Sequence, residues 1–137
     1  MITTTSIEFY VPGEARTYSN DEQKWRISIS EYVKENVKLP PMSMEEREFK
    51  VELCFFLKND RLFDREGNDV DNFAKPVIDT LFLAPGKSDK PNPTGILFKT
   101  NDTFVTEIVV RKTIAADSAE GADVRVSWRE LGAGAQW

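Results

Sequence analysis

Along the first residues Ile7, Phe9 and Val11 alternate with Glu8 and Tyr10 and then meet Pro12-Gly13, a pattern that predicts a half-buried strand closed by a turn. Ser19 with Glu22 three residues later forms a capping box, and behind it Trp25, Ile29, Tyr32, Val33 and Val37 make a helical stripe that Pro40-Pro41 is expected to stop. Met42 to Arg47 reads as a polar connection. The cleanest alternation follows, with Phe49, Val51, Leu53, Phe55 and Leu57 on one face and Glu48, Lys50, Glu52 and Cys54 on the other, the mark of a strand. Asn59-Asp60 and Glu66-Gly67-Asn68 punctuate a loop. Phe73, Val77, Ile78 and Leu81 then recur at helical spacing, with Pro76 placed so that the helix is expected to start late or bend there. Ala84 to Thr94, rich in proline and lysine, reads as an exposed loop. Phe104, Ile108 and Val110 predict a strand, Asp117 to Gly121 a turn, and Val124, Val126 and Trp128 a partner strand, so that the last two strands are expected to form a hairpin. The order of elements predicts an α+β domain, a small mixed sheet with two main helices, over residues 1–131, followed by a flexible tail at 132–137.

Composition narrows the chemistry more than the fold. A length of 137 residues suits one domain, and no apolar run approaches the roughly 18 residues that span a bilayer, so no membrane partner is expected. The opening MITTTSIEFY lacks the basic start and apolar run of a signal peptide, and one cysteine, Cys54, allows no intrachain disulfide. Both features make a cytoplasmic location the expectation. There is no histidine, which excludes Ser-His-Asp and Cys-His catalysis and removes the commonest zinc ligand. Hydrolytic chemistry on this chain would therefore use a hard cation held by carboxylates. The net charge of −5 argues against a generic nucleic-acid binder, although an acidic metal cluster counts as negative until its cation arrives.

Candidate chemistry concentrates in NDVDNFAKPVID, residues 68–79. Asp69 and Asp71 are either turn and cap residues or ligands of a metal, and Lys75 either pairs with Asp79 four residues on or faces an anionic substrate. Three specific Asp-x-Asp chemistries fail on spacing. An EF-hand needs a glycine and further oxygen ligands where Phe73 and Ala74 stand, a phosphoaspartate enzyme needs an apolar strand before the motif, and a sugar-nucleotide transferase needs a larger nucleotide-binding domain. The whole pattern is Asp69-x-Asp71-Asn72-x-x-Lys75-x-x-x-Asp79-x-Leu81, followed by Asn101-Asp102-Thr103-Phe104-Val105 at the start of a strand.

This pattern resembles the RusA family of Holliday junction resolvases, small dimeric Mg²⁺-dependent endonucleases. The family motif is Asp-x-Asp-Asn, Lys three residues on, Asp and Leu within the helix, and an Asp-Asp-x-x-Val strand start. The resemblance implies a RusA-like domain, with Asp69, Asp71 and Asp102 as metal-binding carboxylates for Mg²⁺ (or Mn²⁺), Lys75 as the catalytic lysine, branched DNA such as a four-way junction as substrate, and a homodimer. The chain departs from the family pattern in having Asn101 for the first of the paired acidic residues. The separation of Asp69 from Asp102 is also long, so that by spacing Asp89 competes for the third position; Val105 and its strand favour Asp102. Candidate DNA contacts are Lys24, Arg26, Arg61, Arg65, Lys75, Lys87, Lys90, Arg111 and Lys112. The rival readings are a nuclease acting on other nucleic acids in phage processing or defence, and a catalytically degenerate DNA-binding module.

Overall fold

The computed structural model describes residues 3–17, 21–40, 47–63, 69–84 and 92–137. Four strands, β1 (Thr5–Pro12), β2 (Arg47–Leu57), β3 (Val105–Ile114) and β4 (Gly121–Glu130), form one mixed sheet in the order β1-β4-β2-β3. Helix α1 (Glu22–Asn36) follows β1; the single turn α2 (Asn59–Leu62) and the helix α3 (Val70–Leu81) lie between β2 and β3. The domain is α+β, with two long helices, as the hydrophobic pattern predicts.

Every β2 residue of the predicted apolar face, Phe49, Val51, Leu53, Phe55 and Leu57, is buried. Against them pack Trp25, Ile29 and Val33 of α1, Phe73, Val77 and Leu81 of α3, and Val124, Val126 and Trp128 of β4. Phe49, Phe82, Phe98 and Trp128 form an aromatic cluster, with Phe82 and Phe98 stacked at 4.8 Å between centroids. Both helices thus serve one face of the sheet. The other face carries Glu8 and Tyr10 of β1, Asp123, Arg125 and Ser127 of β4, Lys50 and Glu52 of β2 and Arg111 of β3, with Glu8 opposite Arg125 and Arg125 opposite Glu52.

The expected hairpin of the last two strands does not form. β4 pairs antiparallel with both β1 and β2, and β3 pairs parallel with β2, so β2 lies between the last two strands. The reason lies in their connection. Residues 115–120 cross the end of β2 and are fastened to it: Ala115 N–H donates to Leu57 O at 2.8 Å, and the Glu120 carboxylate accepts from Lys58 N–H at 2.6 Å and from Arg61. Asp117 takes a left-handed backbone (φ 56°) in this crossing, a conformation Asp tolerates better than most side chains. β4 is buried along most of its length, which fits a central strand, whereas β3 alternates between half-buried and exposed positions as an edge strand does.

The helix boundaries also depart from expectation. Ser19 and its capping box lie outside the described residues. Asp21 occupies the N-cap of α1 in a left-handed conformation without a side-chain cap bond. The helix ends at Asn36, ahead of the prolines, where Val37 turns extended and its N–H still reaches Val33 O. α3 begins at Val70 and runs through Pro76, which is buried inside it. Proline lacks the N–H that would bond the carbonyl of Asn72, and packing of Phe73, Val77 and Leu81 into the core offsets the loss. The last residues, expected to be a tail, lie against Arg129, which donates to the carbonyls of Gly134 and Gln136 and stacks 3.9 Å from the Trp137 ring. Among the described residues no helix is long and apolar enough to cross a membrane.

Candidate active site

α3 presents Asp71, Ala74, Lys75, Ile78 and Asp79 along one stripe, the i, i+3, i+4, i+7, i+8 spacing of a single helix face. That stripe meets the start of β3 across a cleft of about 420 Å³, whose other wall is Asp102, Val105, Ile108 and Val110. A β-bulge aligns the second wall. Val105 pairs with Phe49 and Glu107 with Lys50, so Thr106 is an extra residue, and Val105 keeps the same sheet face as Ile108 and Val110.

Asp102 reaches this position through the chain that leaves α3. Ile96 N–H bonds Thr80 O, and the N–H groups of Leu97 and Phe98 bond Leu81 O, which satisfies carbonyls at the helix C-terminus that lack an intrahelical partner. Leu83 then pairs with Asn101, donating to Thr100 O at 2.9 Å and accepting from Asp102 N–H at 3.1 Å. Asp102 opens a 3-10 turn, Asp102–Phe104, that leads into β3. Asn101 caps the turn, its Oδ1 accepting from Thr103 N–H at 2.8 Å, so this amide has a local structural role.

Of the four residues singled out in the sequence, three share the cleft: Asp71, Lys75 and Asp102. Asp71 is exposed in the first turn of α3 and Asp102 is half-buried. Asp69 is the N-cap residue of α3, exposed and without a side-chain cap bond, and is not among the residues that line the cleft. Asp89 lies outside the described residues. Lys75 pairs with Asp79 at 3.2 Å, the lysine half-exposed and the carboxylate nearly buried, so the cleft holds a third carboxylate, one that the helical spacing from Asp71 through Lys75 signals. Among the described residues no group of three or more His, Cys, Asp or Glu side chains is close enough to hold a metal ion. Asp71 and Asp102 line the same cleft and are the carboxylates that could contribute to a cation site there, as Mg²⁺ is commonly held by one or two carboxylates together with waters and substrate phosphate.

The candidate DNA contacts divide sharply. Arg26 is buried, its guanidinium donating to Thr80 Oγ1 and Asp79 O, both at 3.1 Å, and to Pro93 O at 2.5 Å. It joins α1 to the C-terminal end of α3 and is withdrawn from any ligand surface. Arg61 is likewise engaged, with Glu120 and the Ala15 carbonyl. Lys24 and Arg111 are exposed, Lys112 sits 5.9 Å over the Phe63 ring, and Arg65, Lys87 and Lys90 lie outside the described residues.

No family model matches the chain, and no curated protein matches it.

Proposed function

We propose that this chain is a Mg²⁺- or Mn²⁺-dependent endonuclease of RusA type, cutting phosphodiester bonds in branched DNA as a homodimer. The observation that carries the reading is the meeting of Asp71 and Lys75, from one face of α3, with Asp102 at the head of β3 around a single cleft. Two carboxylates and an ammonium group, brought together from positions far apart in the chain, form a donor set suited to a hard cation and a phosphate oxyanion. Asp71 and Asp102 would hold the metal. When bound, the cation supplies an activated water and neutralises charge on the phosphate. Lys75 is half-exposed and its ammonium group is held by the Asp79 carboxylate at 3.2 Å; from there it would offer its remaining donors to a phosphate oxygen and stabilise the negative charge that gathers as the P–O bond breaks. The apolar walls, Ala74, Ile78, Val105 and Ile108, keep competing polar groups away from that charge. Two cuts in a four-way junction need two sites, which a two-fold dimer provides.

The test is cleavage of a labelled synthetic four-way junction beside linear duplex of the same sequence, with Mg²⁺, Mn²⁺ or EDTA. Symmetric, metal-dependent nicks on the junction that disappear in Asp71→Asn are the expected result. Cleavage unchanged in Asp71→Asn, or no cleavage with either metal, overturns the reading.

A further inference from the structure

Among the described residues β3 is an edge of the sheet, paired with β2 along one side only. Its sequence VTEIVVRKTI contains no proline, so every residue keeps its backbone N–H, and its charged residues are of both signs, Glu107 against Arg111 and Lys112. It also carries Ile108, Val109 and Ile114, each about half exposed, so apolar surface and unpaired backbone N–H and C=O groups coincide. Glu107 and Arg111 stand two residues to either side of Val109 on the open face of the sheet, and Glu107 is already oriented there by Lys50 at 3.1 Å.

We propose that a second copy of this chain adds its β3 antiparallel to this one about a two-fold axis at Val109, joining the two sheets into one. The homodimer itself belongs to the function proposed above; the inference here is its interface. Symmetry restricts the register. A two-fold axis relating antiparallel strands runs perpendicular to the sheet, so opposite residues share a face and the axis passes at a residue, never between two. An axis at Glu107 or Arg111 sets like charges directly against each other. One at Ile108 puts Glu107 against the partner's Val109, and one at Val110 puts Arg111 there. Only the axis at Val109 sets Glu107 opposite the partner's Arg111 twice, Ile108 opposite the partner's Val110 twice, and Val109 against itself. The strand is thus self-complementary in charge on one face and in apolar contact on the other. Because opposite residues share a face, both helical layers, and with them both clefts, lie on the same side of the joined sheet.

The experiment is site-specific cross-linking with a measurement of native mass. In a Cys54→Ser background, Val109→Cys is expected to form an intermolecular disulfide on mild oxidation, because the two copies of this residue face each other. Ile114→Cys is expected not to cross-link, since its two copies lie ten residues apart, roughly 33 Å along the strands. By light scattering the wild type is a dimer. Glu107→Arg and Arg111→Glu each weaken dimerisation about tenfold, from two unlike pairs turned into like ones, and the double swap restores it. A monomeric wild type, or Ile114→Cys cross-linking as readily as Val109→Cys, overturns the proposal. The outcomes separate from those of the nuclease reading: a dimer that cleaves junctions through Asp71 but does not cross-link at Val109 removes only this interface, and a Val109-linked dimer without cleavage removes only the activity.

Discussion

Glu48 and Arg129 face each other across the β2–β4 ladder with side chains 8% and 1% exposed and 2.7 Å between Oε1 and Nε. Replacing Arg129 with leucine leaves the Glu48 carboxylate in a nearly dry site with two weak donors, Ala133 N–H at 3.2 Å and the Thr106 hydroxyl at 3.5 Å. An uncompensated buried charge costs about 3–5 kcal/mol, a large part of the 5–15 kcal/mol that typically holds a domain folded. Glu48→Leu strands the opposite charge. Its cost falls at the lower end of that range, because the guanidinium keeps the carbonyls of Gly134 and Gln136 and the Trp137 ring. The joint replacement removes both charges and sets two leucines side by side on neighbouring strands, so it is expected to be less destabilising than Arg129→Leu alone. Urea unfolding of the wild type, both single variants and the double variant checks this directly. A loss below about 1 kcal/mol in Arg129→Leu, or a double variant that loses the sum of the two singles, refutes the reasoning.

Lys75→Met leaves the nearly buried Asp79 carboxylate without this ion partner and is expected to lower stability by about 1–3 kcal/mol, while lowering junction cleavage at least about a hundredfold at temperatures where the variant is folded; thermal melts and single-turnover assays read the two effects separately. Arg26→Leu is expected to lower stability by about 2–4 kcal/mol in urea unfolding, through the loss of its bonds to Thr80, Asp79 and Pro93. Burial, and then the neighbouring Glu8, raise the Asp123 carboxyl above its ordinary value, against the opposing effect of Arg111. The unfolded chain therefore ionises first as pH rises, and this group's contribution to stability falls across the window between its unfolded and folded values. Asp123→Asn is accordingly expected to be more stable than the wild type at neutral pH, with the difference shrinking as pH drops into that window, as urea titrations at several pH values will report.

The parts of the fold legible in the sequence are those written locally. Alternation in β2 marks which side chains are buried, and the spacing of Phe73, Val77 and Leu81 places α3. The same spacing puts Asp71 and Lys75 on one helix face, so half of the cleft is legible in the sequence alone. Alternation does not tell a strand which neighbour it takes, and so it suggests a hairpin of β3 with β4 where the molecule pairs β3 parallel with β2. The crossing of residues 115–120 over β2 depends on Glu120 meeting Lys58 N–H and Arg61, groups about 60 residues away in the chain. Arg26 follows Trp25 and reads as the solvated margin of an amphipathic helix; its burial depends on the far ends of α3 and the following loop. Asp69 shares a motif with Asp71 but precedes the helix, and two residues of extended-to-helical backbone direct the two side chains differently.

The base of the segment 85–91 is closed by bonds that do not depend on the segment's own content. Thr94 Oγ1 donates to Phe82 O at 2.9 Å and accepts from Ala84 N–H at 3.0 Å, Gly95 N–H reaches Phe82 O at 2.9 Å, and an isolated bridge joins Leu83 to Asn101. This clasp uncouples the length of the segment from the distance between α3 and Asp102. Residues can be gained or lost there without shifting either wall of the cleft, which makes it a natural port for grafting a tag, a fluorophore or a second domain.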